Sequence, residues 1–287
     1  MGTELLRTQG LEKHFGGVTA VDDVDYSVST GETVALIGPN GAGKTTFFNL
    51  LTGSLSPSAG TVEFRDDGEW VDVTDFDTHE TAQAGIHRSY QVTNIFPTST
   101  VRENVRVAAQ AHGSDTHRFW RHADSFEDYH AETTRILERV GLGDLADRPA
   151  QALSHGEKRH LELAIALAGD PDLLLLDEPA AGVSSESVDE VVDLIRDVAQ
   201  DHAVLLVEHN MDVVMDLADR ITVLHRGALI ADGEPEAVRA DERVREAYLG
   251  GYGSDDDPTA GDSRPDDAGD GAGDGDGDTA ATDGGVA

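Results

Sequence analysis

The nine residues GPNGAGKTT, 38 to 46, constrain the fold more than any other stretch of the chain. Before them, GETVALIGP reads as a buried strand entered through a turn. After them, KTTFFNLLTG reads as a helix stopped at Gly53. The pattern therefore fixes a strand–loop–helix unit. Its loop of Gly38, Pro39, Asn40, Gly41, Ala42 and Gly43 lets backbone N–H groups curl around phosphate oxygens, and the helix N-terminus adds a favourable dipole. Lys44 is spaced to reach the outer phosphates of a nucleotide, and Thr45, followed by Thr46, to offer its hydroxyl to Mg2+.

A second element completes this chemistry. In DLLLLDEP the four leucines are too few for a helix and are flanked by turn signals, so the segment reads as a buried parallel strand. Asp177 at its end is the expected second anchor for Mg2+, and Glu178 is placed to orient or deprotonate an attacking water. Together the two motifs define a P-loop NTPase. No N/T-K-x-D guanine motif is present, which disfavours GTP. The predicted strand 203–207 and helices 186–200 and 211–218 continue an alternating β/α order.

Charge excludes some functions. The chain has 56 acidic against 21 basic residues, and its lysines are Lys13, Lys44 and Lys158 alone. The segment 251–287 carries eleven Asp and one Arg, a net of −10, which leaves −25 of the −35 on the first 250 residues. Phosphate backbones are bound by Lys and Arg, so no nucleic-acid partner is expected. An acidic, lysine-poor body repels itself unless salt screens it, which suggests the cytoplasm of a halophile such as a haloarchaeon. There is no cysteine for a disulfide or thiolate site. No apolar run approaches the ~20 residues that span a bilayer, and Met1 to Gly10 lacks the apolar core of a signal peptide. The Asp- and Gly-rich tail, 251–287, has no periodicity and is expected to be disordered; its DGDGD, 274 to 278, lacks the glycine and glutamate of a calcium loop.

The stretch LSHGEKRH, 153 to 160, allows two readings. Ser154 followed by Glu157 ahead of an apolar run is a helix capping box, but the open Gly156 beside a helix N-terminus also suits an anion. Order resolves part of this. The phosphate loop, a helical insertion, LSHGE, LLLLDEP and EHN follow one another as in the ATP-binding subunits of ABC transporters, which the chain resembles over about residues 3 to 250. FGGVTAVDDV, RSYQVTNIFPTSTVRENV and the terminal REAYLGG are similar to the branched-chain amino-acid importer ATPases, with urea or amide importers and a lipid-export ATPase as close relatives.

That resemblance implies an α/β fold. It comprises a P-loop NTPase (RecA-like) core with a mixed sheet, an N-terminal antiparallel β-subdomain and a helical signature subdomain at about 92–170, all within an ATP-binding domain at 1–250. It implies ATP hydrolysis powering solute import. Phe15 would stack on adenine, the alternative being a core residue. Gln91 would touch Mg2+ or water, and His209 would contact the γ-phosphate. Ser154 and Gly156 would meet an ATP held by a second ATP-binding subunit, in a homo- or heterodimer. The implied partners are membrane permeases and, through them, an extracytoplasmic solute-binding protein, at the cytoplasmic face of the membrane. Three positions depart from the family pattern: Ser184 stands where Asn or Asp is common, Glu157 where Gln is common, and His155 replaces Gly or an aromatic.

Overall fold

In the computed structural model, which describes residues 2–89, 95–112, 124–183 and 185–249, two sheets share the strands. The first is antiparallel, in the order β2 (Val18–Ser29), β1 (Glu4–Phe15), β4 (Ala59–Asp66), β5 (Glu69–Asp72). The second has six strands in the order β10 (Ala228–Gly233), β9 (Arg220–His225), β3 (Thr33–Ile37), β8 (Ala203–Val207), β7 (Leu173–Asp177), β6 (Ile86–Ser89). Its pairings are parallel except for the β9–β10 hairpin, so the sheet is mixed, as the resemblance implies.

The apolar runs are explained by burial on both faces. Along β7, Leu174 and Leu176 join one core while Leu173 and Leu175 join another. Successive strand side chains point to opposite faces, so a strand covered on both sides must be apolar throughout. Strand β3 divides in the same way, Ala35 and Ile37 against Val34 and Leu36. The first core includes residues of α3 (Val101–His112), α4 (Asp124–Arg139), α5 (His155–Leu167) and α6 (Ser185–Val198). The second contains the antiparallel sheet and α1 (Lys44–Leu51), with Phe47, Phe48 and Phe64 fully buried.

Most boundaries expected from sequence hold to within a few residues. The helix expected at 186–200 is observed as α6, and that at 211–218 as α7 (Met211–Leu217). Strands β1 and β2 are longer than their apolar alternation suggests, because each continues through bulges where the register shifts. Short elements add to the sequence reading: α2 (Thr78–Gln83), β6, α8 (Pro235–Ala240) and α9 (Glu242–Leu249). Gln91, Ser184 and the tail 251–287 lie outside the described residues.

Candidate active site at the phosphate loop

The phosphate loop leaves β3 at Gly38 and enters α1 at Gly43. Both glycines are dictated by geometry. Gly38 has φ +153°, and a Cβ there would meet the Leu224 carbonyl oxygen at 2.1 Å; Gly43 has φ +106°, and its Cβ would meet the Ala20 carbonyl oxygen at 2.2 Å. The loop is also held from outside by backbone bonds. Gly227 N–H donates to the Ala42 carbonyl (2.9 Å), and Asp22 N–H donates to the Gly227 carbonyl (3.0 Å). The β9–β10 turn therefore ties the loop to β2.

Helix α1 begins without a side-chain cap and without an acidic residue in its first turn. Its leading N–H groups, with the dipole behind them, are left to an external anion. Asn40, Gly41 and Thr45 are exposed at this mouth, and Thr46 is half-buried. Lys44 is buried, and its Nζ donates to the carbonyls of Gly38 (2.7 Å) and Pro39 (3.2 Å). Burial pulls its ammonium below the usual lysine range, against the raising effect of the Glu178 and Asp177 charges.

Asp177 ends β7, buried; Glu178 follows in the left-handed region, φ +50°. A non-glycine residue in this region carries a backbone cost of about 1–3 kcal/mol. Two backbone bonds enforce the conformation: Glu178 N–H to the Val207 carbonyl (2.9 Å) and Ala181 N–H to the Glu178 carbonyl (3.0 Å). The result is a carboxylate 3.1 Å from His209 Nε2. A glutamate and an imidazole in this contact can orient a water and exchange its proton.

Two residues of the site were not singled out from the sequence. Glu208 is buried and accepts from the N–H groups of Ala180 (2.8 Å), His209 (3.0 Å) and Asn210 (3.3 Å), fixing the segment after Glu178 to the segment holding His209. Arg88, on β6, donates to Asp177 and Asn49. Glu208 had a signal, an acid directly after the apolar run AVLLV; Arg88 had none beyond its charge.

The other predicted residues lie on separate elements. Phe15, at the end of β1, is 48% exposed and so is not a core residue; Lys13 Nζ lies 5.3 Å from its ring centroid. Ser154 caps α5 in a complete capping box. Its Oγ accepts from Glu157 N–H (3.2 Å), and its own N–H donates to Glu157 Oε2 (2.6 Å). These bonds hold the Glu157 carboxyl below the usual carboxylate range. Helix α5 packs on β6, α3, α4 and α6. A Cβ at Gly156 would meet nothing nearer than Val183 Cγ1 at 3.7 Å, an ordinary contact. A glycine costs about 1 kcal/mol relative to alanine in a helix interior and less in a first turn such as this, and the packing of this chain does not require it.

Among the described residues no group of three or more His, Cys, Asp or Glu could hold a metal by itself. What the loop offers is one hydroxyl, Thr45, and one buried carboxylate, Asp177. Mg2+ is commonly bound by one or two carboxylates together with substrate phosphates, so this donor set fits a cation that arrives with a nucleotide. No described helix is long and apolar enough to cross a membrane.

A phosphate cradle at the end of β3, with a carboxylate pair at the end of β7, beyond β8 in the same sheet, and a histidine against it, defines a P-loop ATPase. The chain belongs to the ABC transporter family: the family described as "ABC transporter" matches residues 21–181, and "Branched-chain amino acid ATP-binding cassette transporter" matches residues 228–253. It is an ATP-binding subunit of that family. It is 38% identical to the high-affinity branched-chain amino acid transport ATP-binding protein BraF of Pseudomonas aeruginosa over 260 residues, 87% of this chain and 99% of that protein. A probable branched-chain amino acid transport ATP-binding protein of Archaeoglobus fulgidus is 35% identical, covering 88% and 98%. Among solved structures, an ATP-binding cassette of an ABC transporter in its ADP conformation is similar, with a TM-score of 0.75 at 31% identity, covering 86% of this chain and 99% of that one.

Proposed function

We propose that this subunit hydrolyses MgATP at an interface with a second ATP-binding subunit, and so powers import of branched-chain amino acids through membrane permeases. The observation that carries the reading is the division of labour between two surfaces. Lys44, Asp177, Glu178 and His209 gather around one loop, whereas Ser154 and the sterically unneeded Gly156 lie on a different helix. A glycine that its own chain does not require is accounted for by something that must approach closely, here the triphosphate held by the other subunit.

In this reading the loop 38–46 holds the phosphates, and Phe15 supports the adenine. Thr45, Asp177 and Gln91 would hold Mg2+, whose charge would help neutralise the phosphates. Glu178, steadied by His209, orients the attacking water, and positioning with charge neutralisation supplies most of the rate. Residues 1–250 form the ATP-binding domain, with a helical subdomain at about 92–170, and 251–287 an acidic tail. The subunit sits peripherally at the cytoplasmic face of the membrane, served across it by a solute-binding protein. The −35 charge supports a high-salt cytoplasm. Branched-chain solutes are supported by the relatives' names and by the C-terminal match at 228–253.

The test is reconstitution with the permeases and binding protein in vesicles, with ATP turnover measured against added solute. Stimulation by leucine or isoleucine is expected. Stimulation by urea or amides instead would move the chain to the related importers, and stimulation by lipid to an exporter.

A further inference from the structure

The pairing of Asp177 is the feature the proposed chemistry does not use. Arg88 Nη2 donates to Asp177 Oδ2 at 2.5 Å, and both side chains are only 8% exposed. The guanidinium has a second anchorage on α1: Nη1 donates to Asn49 Oδ1 at 2.6 Å, and the group lies 5.6 Å from the Phe48 ring centroid. One side chain thus links β6, the end of β7 and the helix that follows the phosphate loop.

A buried carboxylate without a counter-charge is costly, and removing one partner of a buried pair is worse than replacing both. Arg88 meets that need for Asp177. A divalent cation brought to the same carboxylate changes the balance. Two cations then face one buried acid at short range, where the low dielectric makes their repulsion large.

We infer that Arg88 is the resident counter-cation of Asp177, and that loading of the divalent cation with nucleotide is an exchange in which Arg88 yields the carboxylate while staying docked on Asn49 and Phe48. The inference rests on the reading of Asp177 as the carboxylate of the Mg2+ site. Arg88 is on this account a positioning residue that weakens the grip of Asp177 on a divalent cation arriving alone, so that cation and nucleotide bind together.

The experiment is done in a Glu178→Gln background, so that turnover does not intervene. ATP affinity is measured by calorimetry in excess Mg2+ and in EDTA, and the ratio of the two affinities is the readout. Arg88→Gln, which is polar but carries no charge, should raise that ratio about tenfold. Its affinity in EDTA should change by less than about threefold. Arg88→Lys keeps a cation and should leave the ratio within about twofold of the parent. A ratio that is unchanged or lower in Arg88→Gln, or equally raised in Arg88→Lys, overturns the exchange. Asp177→Asn separates this from the underlying reading. If that variant keeps the Mg2+ dependence of the parent, Asp177 is not the cation's carboxylate and the site assignment itself fails. Thermal denaturation gives an independent check on folding. Arg88→Gln should melt lower than the parent without nucleotide and gain more on adding MgATP.

Discussion

Glu178 Oε1 lies 3.1 Å from His209 Nε2, with Glu178 held in a left-handed backbone conformation. In the proposed reading the carboxylate takes a proton from water, so Glu178→Gln should lower ATP turnover at least about a hundredfold. Nucleotide binding should survive, and the variant should accumulate as an ATP-dependent dimer. Turnover assays and light scattering in molar KCl check both halves; a variant that stays monomeric in saturating ATP contradicts the shared interface.

Gly156 offers a cleaner separation of fold from function. Its Cβ position is open to a methyl group, with the nearest atom 3.7 Å away. Gly156→Ala should therefore stabilise the isolated chain, by up to about 1 kcal/mol on helix propensity. ATP hydrolysis should nevertheless fall more than tenfold if the partner's triphosphate must come close. Chemical denaturation and turnover on the same preparation decide it.

Ser154 has a structural duty and a proposed interfacial one. Ser154→Ala removes a capping bond and should cost about 1 kcal/mol. Ser154→Asp keeps an oxygen for the cap but brings a negative charge to the face assigned to the partner's nucleotide. It should fold as well as the parent and fail to dimerise with ATP, as seen by denaturation midpoints and by sedimentation.

The same capping box gives a pH dependence with a definite sign. The bonds from Ser154 hold the Glu157 carboxyl below its usual range. A carboxyl depressed in the folded state stabilises the protein above its unfolded value of about 4.3, and that contribution is lost as the pH falls through the folded value. Glu157→Gln should thus lower stability at pH 7 and narrow its difference from the parent in acid, in urea titrations at each pH.

Salt should stabilise this chain. With a net charge of −35, self-repulsion extends about 10 Å at 0.1 M salt and about 3 Å at 1 M. The melting temperature should rise steadily from 0.1 to 2 M KCl. A flat or falling curve would remove the argument for a high-salt cytoplasm.

What could be read from the sequence was local. The phosphate loop, the strand before Asp177 and the Ser154–Glu157 box each announce themselves within about ten residues, because turn chemistry, capping and double-sided burial act at that range. Helix α2 carries such a sign too, since Asp77 and Glu80 form a second capping box. Arg88 and Asp177 are another matter. They meet because β6 pairs with β7 in parallel register, and nothing in IHRS says that its arginine turns toward a carboxylate on another strand. The clamp by Glu208 depends likewise on tertiary placement.

The turn at Gly227 bears on how damage to this protein should be interpreted. It donates to Ala42 and accepts from Asp22, so the shape of the phosphate loop is set partly by a hairpin distant from it in the chain. A substitution in that hairpin would present in an assay as a nucleotide-binding defect. A map of positions sensitive for ATP affinity will therefore be wider than the map of positions that touch ATP, and its outlying hits will trace the mounting of the loop.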